Sequence, residues 1–279
     1  MLGYAKVFCF TMVSGMRFKL SYMKVLCWLL ILLPVCSYAE SKKITIAFGE
    51  SLPPWVIKGE SGGLVMELLN DCLSPSGYTL TPVFRPYARR LSSYITEQLD
   101  AVSDIDEAVI KSANLQGYFS GYLYAYKNFA YSLSKNKFSI SEISQLQGYS
   151  ILSWQGAINQ MGSEYQSMAN ANTRYSETDK QNLQVKMLFS ERVDFIQIDE
   201  QIFNYYRGGL FGDKGAPDSL AVDKFALFDR SPNGVIFRSK EVRDACMNNL
   251  RNMDVLLAKY RGLPWVSNNI WTVGGEPSI

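Results

Sequence analysis

The sequence predicts an α/β protein built of two successive halves. Ile44-Thr45-Ile46-Ala47-Phe48 is a β-rich run, and Leu64 to Leu69 has helical apolar spacing, with turn-rich Gly49 to Trp55 and Gly62-Gly63 between them. The alternation of strand-like and helix-like segments runs on to Leu133, then starts again from Tyr149 to Asp199. The 279 residues, 47% hydrophobic and 19% charged, suit one or two globular domains, with no solenoid period and no low-complexity segment.

Taken in order, the strand at Ile44 feeds a loop at the carboxyl end of a parallel sheet, where open α/β folds bind ligands. Pro53-Pro54-Trp55 is then either a wall of a cleft or a staple holding the strand end to the core. Tyr78 to Phe84 reads as a second strand, short or irregular because of Pro82. Arg85 to Arg90 is a basic turn entering a helix from about Leu91 to Gln98, and Asp100 to Asp106 is a strand with an acidic end. Tyr118 to Tyr126 and Phe129 to Leu133 are aromatic strand segments. Ser141 opens a short helix, Tyr149 to Trp154 is a strand, and helices follow at about Ile158 to Met168 and Asp179 to Ser190. Val193 to Asp199 is a strand ending in an acid, and Gln201 to Arg207 is helical. Phe225 to Asp229 is strand-like, Ser231 to Gly234 a turn, and Val235 to Phe237 a short strand. Glu241 to Tyr260 is the longest predicted helix, and Trp265 and Trp271 are candidate anchors in the tail.

Formal net charge is +2, but residues 1–39 hold Lys6, Arg17, Lys19 and Lys24 and no acid. Without them 24 basic residues face 26 acidic ones, so the body is mildly acidic and has no electrostatic footprint for nucleic acid. Residues 1–39 read as a cleavable signal peptide: Met23-Lys24 precedes the apolar run Val25 to Leu33, and Ser37-Tyr38-Ala39 supplies small residues for cleavage. Met23 is an alternative start, and the apolar run is short for a membrane span. Val35 before Cys36 argues against lipidation.

Export places the chain in an oxidising compartment, with Cys72 and Cys246 remaining after cleavage. A disulfide and two buried free thiols are the two readings, and export favours the disulfide. Two distant cysteines and no histidine give no zinc site, and no cofactor motif is present. The lack of histidine also excludes Ser-His-Asp and Cys-His catalysis.

The order of these pieces resembles the family 3 extracellular solute-binding proteins, the type II periplasmic binding fold of polar amino-acid ABC transporters. The resemblance covers about residues 42–265 and is carried by Ile44 to Trp55, Gly63-Leu64, Gln98-Leu99-Asp100-Ala101, Phe119-Ser120-Gly121-Tyr122, Trp154-Gln155-Gly156-Ala157, Arg192-Val193-Asp194 with Asp199, and Asn233 to Arg238. It implies two lobes joined by two crossing hinge strands, with the solute held between them. Lobe 1 would be 40–128 plus 229–279, holding both cysteines, and lobe 2 would be 129–228. It also implies a periplasmic monomer that hands a small polar solute to a membrane ABC permease.

The chain departs from the family around Ala108 to Ser112, where Lys111 stands in the region of the usual carboxylate-clamping arginine. Arg89, in Pro86-Tyr87-Ala88-Arg89, is the candidate to replace that clamp, the alternative being a solvated helix start. Glu50 is a candidate ammonium partner or a loop acid in water. Asp104 and Asp106 line the cleft or cap the next helix. Tyr122 takes the family's cleft-facing position, while Tyr124 and Tyr126 are assigned to core packing. Trp154, Gln155 and Ala157 sit where backbone N–H groups at a helix start would take an anion. Asp199 faces a ligand amine or caps the following helix. With Trp55, these make the expected ligand-binding set.

The function these residues predict is capture of a small polar solute, amino-acid-like or an organic anion, without chemistry. The alternatives are a dehydratase of small carboxylates on the same scaffold, with Glu50, Asp104 or Asp199 as acid or base, and a stand-alone periplasmic sensor.

Overall fold

Lys42–Phe48 forms strand β1, whose residues Ile44, Ile46, Ala47 and Phe48 are almost wholly buried. A nearly continuous apolar run is what a parallel strand covered on both faces requires. The computed structural model describes residues 41–50, 52–59, 62–212 and 215–250. The expected signal peptide and alternative start, the end of the last predicted helix, Trp265 and Trp271 lie outside these residues.

In chain order the elements are α1 (Leu64–Leu73), β2 (Tyr78–Phe84), α2 (Tyr87–Thr96), β3 (Ala101–Ile105), α3 (Glu107–Ser112), β4 (Tyr118–Leu133), β5 (Ile151–Trp154), α4 (Ala157–Gln160), α5 (Ser163–Ala171), β6 (Tyr175–Thr178), α6 (Gln181–Phe189), β7 (Phe195–Asp199), α7 (Glu200–Phe211), β8 (Val222–Phe225), β9 (Arg230–Phe237) and α8 (Lys240–Leu250). The strands run β2-β1-β3-β9-β4-β7-β5-β6, with β8 also beside β4. β1 is parallel to β2 and β3, and β5 is parallel to β6 and β7, so each end of the array is an open parallel unit. Pro82 is tolerated because β2 is an edge strand.

The two units meet on β4. Its residues Tyr118 to Lys127 pair with β9, and Asn128 to Leu133 pair with β7 and β8. One 16-residue strand therefore serves both sheets, where the sequence suggests two shorter ones. Helices pack on both units, burying Val65, Leu69 and Cys72 of α1 on the first and Val185 and Leu188 of α6 on the second.

Three predicted elements change. Helix α2 begins four residues before the expected Leu91, because Pro86 has no N–H to lose and stands where the helix starts. The single helix expected from Ile158 to Met168 is two helices, interrupted at Gly162 with φ +87°. Ser231 to Gly234 is part of β9, held in strand by pairing with β4 in place of the expected turn.

Cys72 of α1 and Cys246 of α8 form a disulfide, with their Cα atoms 4.5 Å apart and 174 residues between them in sequence. Asn249 Nδ2 donates to the Cys72 carbonyl at 2.7 Å, so α8 is tied to α1 beside the bridge as well as by it. Replacing both cysteines by serine is expected to lower unfolding stability by about 2–4 kcal/mol, through the wider conformational freedom of the unfolded chain. Urea denaturation of the two proteins measures it, and equal midpoints would contradict it.

Candidate functional site

The carboxyl ends of β1, β3, β5 and β7 are where successive loops leave the two parallel units, and they surround an open cleft of about 940 Å³ counted to its mouth. Gly49, Pro86, Tyr87, Arg90 and Asp104 line it from the first unit, and Trp154, Gln155, Asp179, Gln181 and Asp199 from the second.

Asp104, the last residue but one of β3, has φ +55°, a backbone state that aspartate adopts more readily than most residues. That twist sets its carboxylate among donors. Oδ1 accepts from Tyr124 Oη at 2.7 Å and Tyr126 Oη at 2.6 Å, while Oδ2 accepts from Arg90 Nη1 at 2.7 Å and Ser103 Oγ at 3.1 Å. Arg90 and Asp104 are only 2% and 8% exposed, so this is a buried ion pair in a dense network. Burial, and then the Asp104 carboxylate, push the Tyr124 and Tyr126 phenols well above their ordinary range, so both stay protonated and donate.

Asp199 ends β7 and caps α7. Its Oδ1 accepts from the Gln201 and Ile202 backbone N–H groups and from Trp55 Nε1 at 2.9 Å, and Oδ2 accepts from the Lys127 N–H at 2.8 Å. It is nearly sealed at 3% exposure, and burial pushes its pKa up to about 6 against the pull of Trp55 and the three backbone donors.

The expected site residues fall out unevenly. Asp104, Trp154, Gln155, Asp199 and the exposed Glu50 line the cleft, and Glu50 is already paired with Lys58 at 3.1 Å. Asp199 caps α7, as one of its two readings has it, and also lines the cleft. Asp106 also does both, accepting from Val109 N at 2.7 Å.

Arg89 is a correction: it is exposed and outside the lining, and Arg90 takes the inward place. With α2 starting at Tyr87, the buried face runs through Arg90, Ser93 and Tyr94, and residue 89, about 100° round the helix from Arg90, falls on its exposed flank.

Trp55 is buried at 1% exposure and sits behind the cleft, its indole bonded to Asp199 and its ring edge-on to Tyr126 at 5.1 Å. It is the staple and not the wall.

Tyr122 is 42% exposed and outside the lining. Register shifts on either side of it, with Gly121 at φ +76°, break the alternation that would have placed it with Tyr124 and Tyr126. Tyr126, assigned to the core from sequence, lines the cleft instead.

Ala157 is fully buried, and the anion site expected at the start of α4 is filled by the chain itself. Glu177 accepts from Gly156 N and Ile158 N, both at 2.8 Å, and from Tyr175 Oη at 2.8 Å. A carboxylate from the neighbouring strand has neutralised those donors, a pairing no local pattern in the sequence announces.

Sequence reasoning missed Tyr87, Arg90, Asp179 and Gln181. Tyr87 meets Trp154 edge-on at 5.8 Å across the cleft and lies against Gly156, whose Cβ, if present, would stand 2.8 Å from the ring. Gly156 also has φ +100°. Gly156→Ala is therefore expected to lower stability by about 1–3 kcal/mol and displace Tyr87. Thermal unfolding and tyrosine fluorescence would register it, and an unchanged midpoint would contradict the close approach.

Among the described residues no group of three or more His, Cys, Asp or Glu could hold a metal ion, and no helix is long and apolar enough to cross a membrane.

No known family pattern and no curated protein sequence matches the chain. Solved structures do. An ancestral arginine-binding protein bound to arginine is similar at 18% identity, TM-score 0.60, over 77% of this chain and 94% of that one. A histidine kinase sensor domain with similarity to periplasmic binding proteins is similar at 14% identity, TM-score 0.63, over 80% and 97%. An ancestral amino-acid-binding protein described as a precursor of cyclohexadienyl dehydratase is similar at 16% identity, TM-score 0.58, over 76% and 90%. The chain has the two-lobed type II periplasmic binding fold. The substrate binding protein of an amino acid ABC transporter shares this architecture at 13% identity, TM-score 0.56, over 77% of this chain and 94% of that one.

Proposed function

We propose that this protein is a periplasmic solute-binding protein that captures a small polar, amine-bearing solute between its lobes and delivers it to a membrane ABC permease. The carrying observation is the cleft itself: polar and aromatic groups from both parallel units converge on an open space, with Asp104 and Asp199 held rigidly by many donors. Such a site binds by shape and charge and needs no reaction. The switch of β4 from β9 to β7 and β8, and the return of the chain between β8 and β9, support lobe boundaries near residues 128 and 229. Closure about these crossings would trap the solute. The signal peptide reading of residues 1–39 supplies the route to the periplasm.

The sensor-domain neighbour favours a second reading, in which solute capture is reported to a signalling partner. Both readings share the binding step. A thermal-shift screen of amino acids, amines, small peptides and organic acids tests it, since a ligand at 100 times its Kd adds about 2.7 kcal/mol. No shift with any of these would remove the proposal. Pull-down with a permease rather than a kinase would then choose between the two.

A further inference from the structure

The charges on the cleft are lopsided. Among the described residues five carboxylates line it, from Glu50, Asp104, Asp106, Asp179 and Asp199, against the single guanidinium of Arg90, with Lys58 outside the lining paired to Glu50 across an exposed 3.1 Å contact. That guanidinium is already engaged by Asp104 at 2.7 Å and is only 2% exposed. Three of the helix starts at the cleft are filled by the chain's own carboxylates: Glu177 at the start of α4, Asp106 at that of α3, and Asp199 at that of α7. The starts of α2 and α6 have no side-chain cap, and each has an acid beside it: Asp106 and Asp104 act on Tyr87 of α2 after Arg90, and Asp179 stands just before Gln181 of α6.

A second observation concerns polar atoms without partners. Gln181 lines the cleft at 7% exposure, and its amide oxygen has no hydrogen-bond partner. The amide oxygen of Gln155, on the same wall, has none either. Against these two acceptors stands one unpartnered donor on the lining, Arg90 Nε. A buried acceptor without a donor is costly unless something donates to it. Asp179, next to this wall, is exposed and unencumbered by any helix-capping bond.

Resting on the solute-binding reading above, we infer that the solute is an organic dication carrying amine or guanidinium groups and no carboxylate. One cationic end lies on the wall of Asp199, Asp179 and Gln181, and the other on the wall of Asp106 and Glu50. A ligand carboxylate would be placed among like charges, a juxtaposition costing several-fold to many-fold in affinity.

The test pairs each cation with its carboxylated counterpart, using isothermal titration of the purified protein. Agmatine is compared with arginine and cadaverine with lysine, with glutamate and succinate as anions. The expected result is that agmatine or cadaverine binds at least about tenfold tighter than its amino acid, and that the anions do not bind. The variant Asp179→Asn, at an exposed position, is expected to weaken agmatine about fivefold or more while leaving the thermal midpoint of the free protein unchanged. Tighter binding of arginine or lysine than of its decarboxylated partner, binding of an anion, or full agmatine affinity in Asp179→Asn would each overturn the inference and leave the solute-binding reading standing. Failure of every compound in both this panel and the wider screen would overturn both.

Discussion

Asp104→Asn is expected to destabilise the protein by about 3–5 kcal/mol, the range for breaking a buried ion pair from one side. The substitution leaves Arg90, 2% exposed, without a counter-charge, and it turns one of the two accepting oxygens, either the one facing Tyr124 and Tyr126 or the one facing Arg90 and Ser103, into an NH2 donor. Asparagine keeps the positive φ of residue 104, so backbone strain is not added. The converse change, Arg90→Met, is expected to cost less, because the Asp104 carboxylate retains three hydroxyl donors and methionine fills the volume of the arginine stem. Urea unfolding of the two variants measures the asymmetry. Equal losses, or a loss below about 1 kcal/mol for Asp104→Asn, would mean the pair is not buried as described.

Lowering the pH from 7.5 to 5 is expected to weaken amine binding about tenfold, because only the ionised Asp199 attracts a cation and about one-tenth of the sites remain ionised one unit below the pKa. The pKa that sets this window is about 6, raised by burial and partly offset by Trp55, the Lys127 N–H and the helix-start N–H groups. Titration of agmatine at several pH values checks it, and Asp199→Asn should flatten the profile. The stability of the free protein moves the other way over a related range. Between the ordinary value of 3.8 and about 6 the folded state holds a proton on Asp199 that the unfolded state has lost. This group therefore contributes most below that range, and its contribution falls as pH rises through it. Above about 6 it is constant. Affinity gained and stability lost as pH rises through the same range is the signature of one buried carboxyl, that of Asp199.

Much of the architecture was legible because period and punctuation report local structure. The buried run of β1, the breaks at Gly62-Gly63 and the acids at the ends of β3 and β7 are read directly from residue order. The candidate site was legible only in part. Asp104, Asp199, Trp154 and Gln155 stand at strand ends, where a chain leaving a parallel sheet faces the cleft. The candidacy of Arg89 rests on the likeness of Pro86-Tyr87-Ala88-Arg89 to a family motif, which does not fix helix phase: Arg90 lies about 100° further round, and α2 starts four residues earlier than expected. Tyr122 is expected in the cleft from the family's aromatic position, while alternation alone sets it on one face with Tyr124 and Tyr126, and a bulge that the sequence marks only with Gly121 breaks that alternation.

By itself the sequence determined that the chain is α/β, that its elements come in two successive runs, and that no histidine or cofactor motif is available for chemistry, since each of these is a property of residue types and their local spacing. Tertiary structure alone decided which side chains share the cleft and which charges cancel. Arg90 lies 14 residues from Asp104, Glu177 lies 21 from the Gly156 N–H it accepts from, and Trp55 lies 144 from Asp199. Partners so far apart in the chain are joined by how strands order themselves in a sheet, and that order is a property of the whole packed chain.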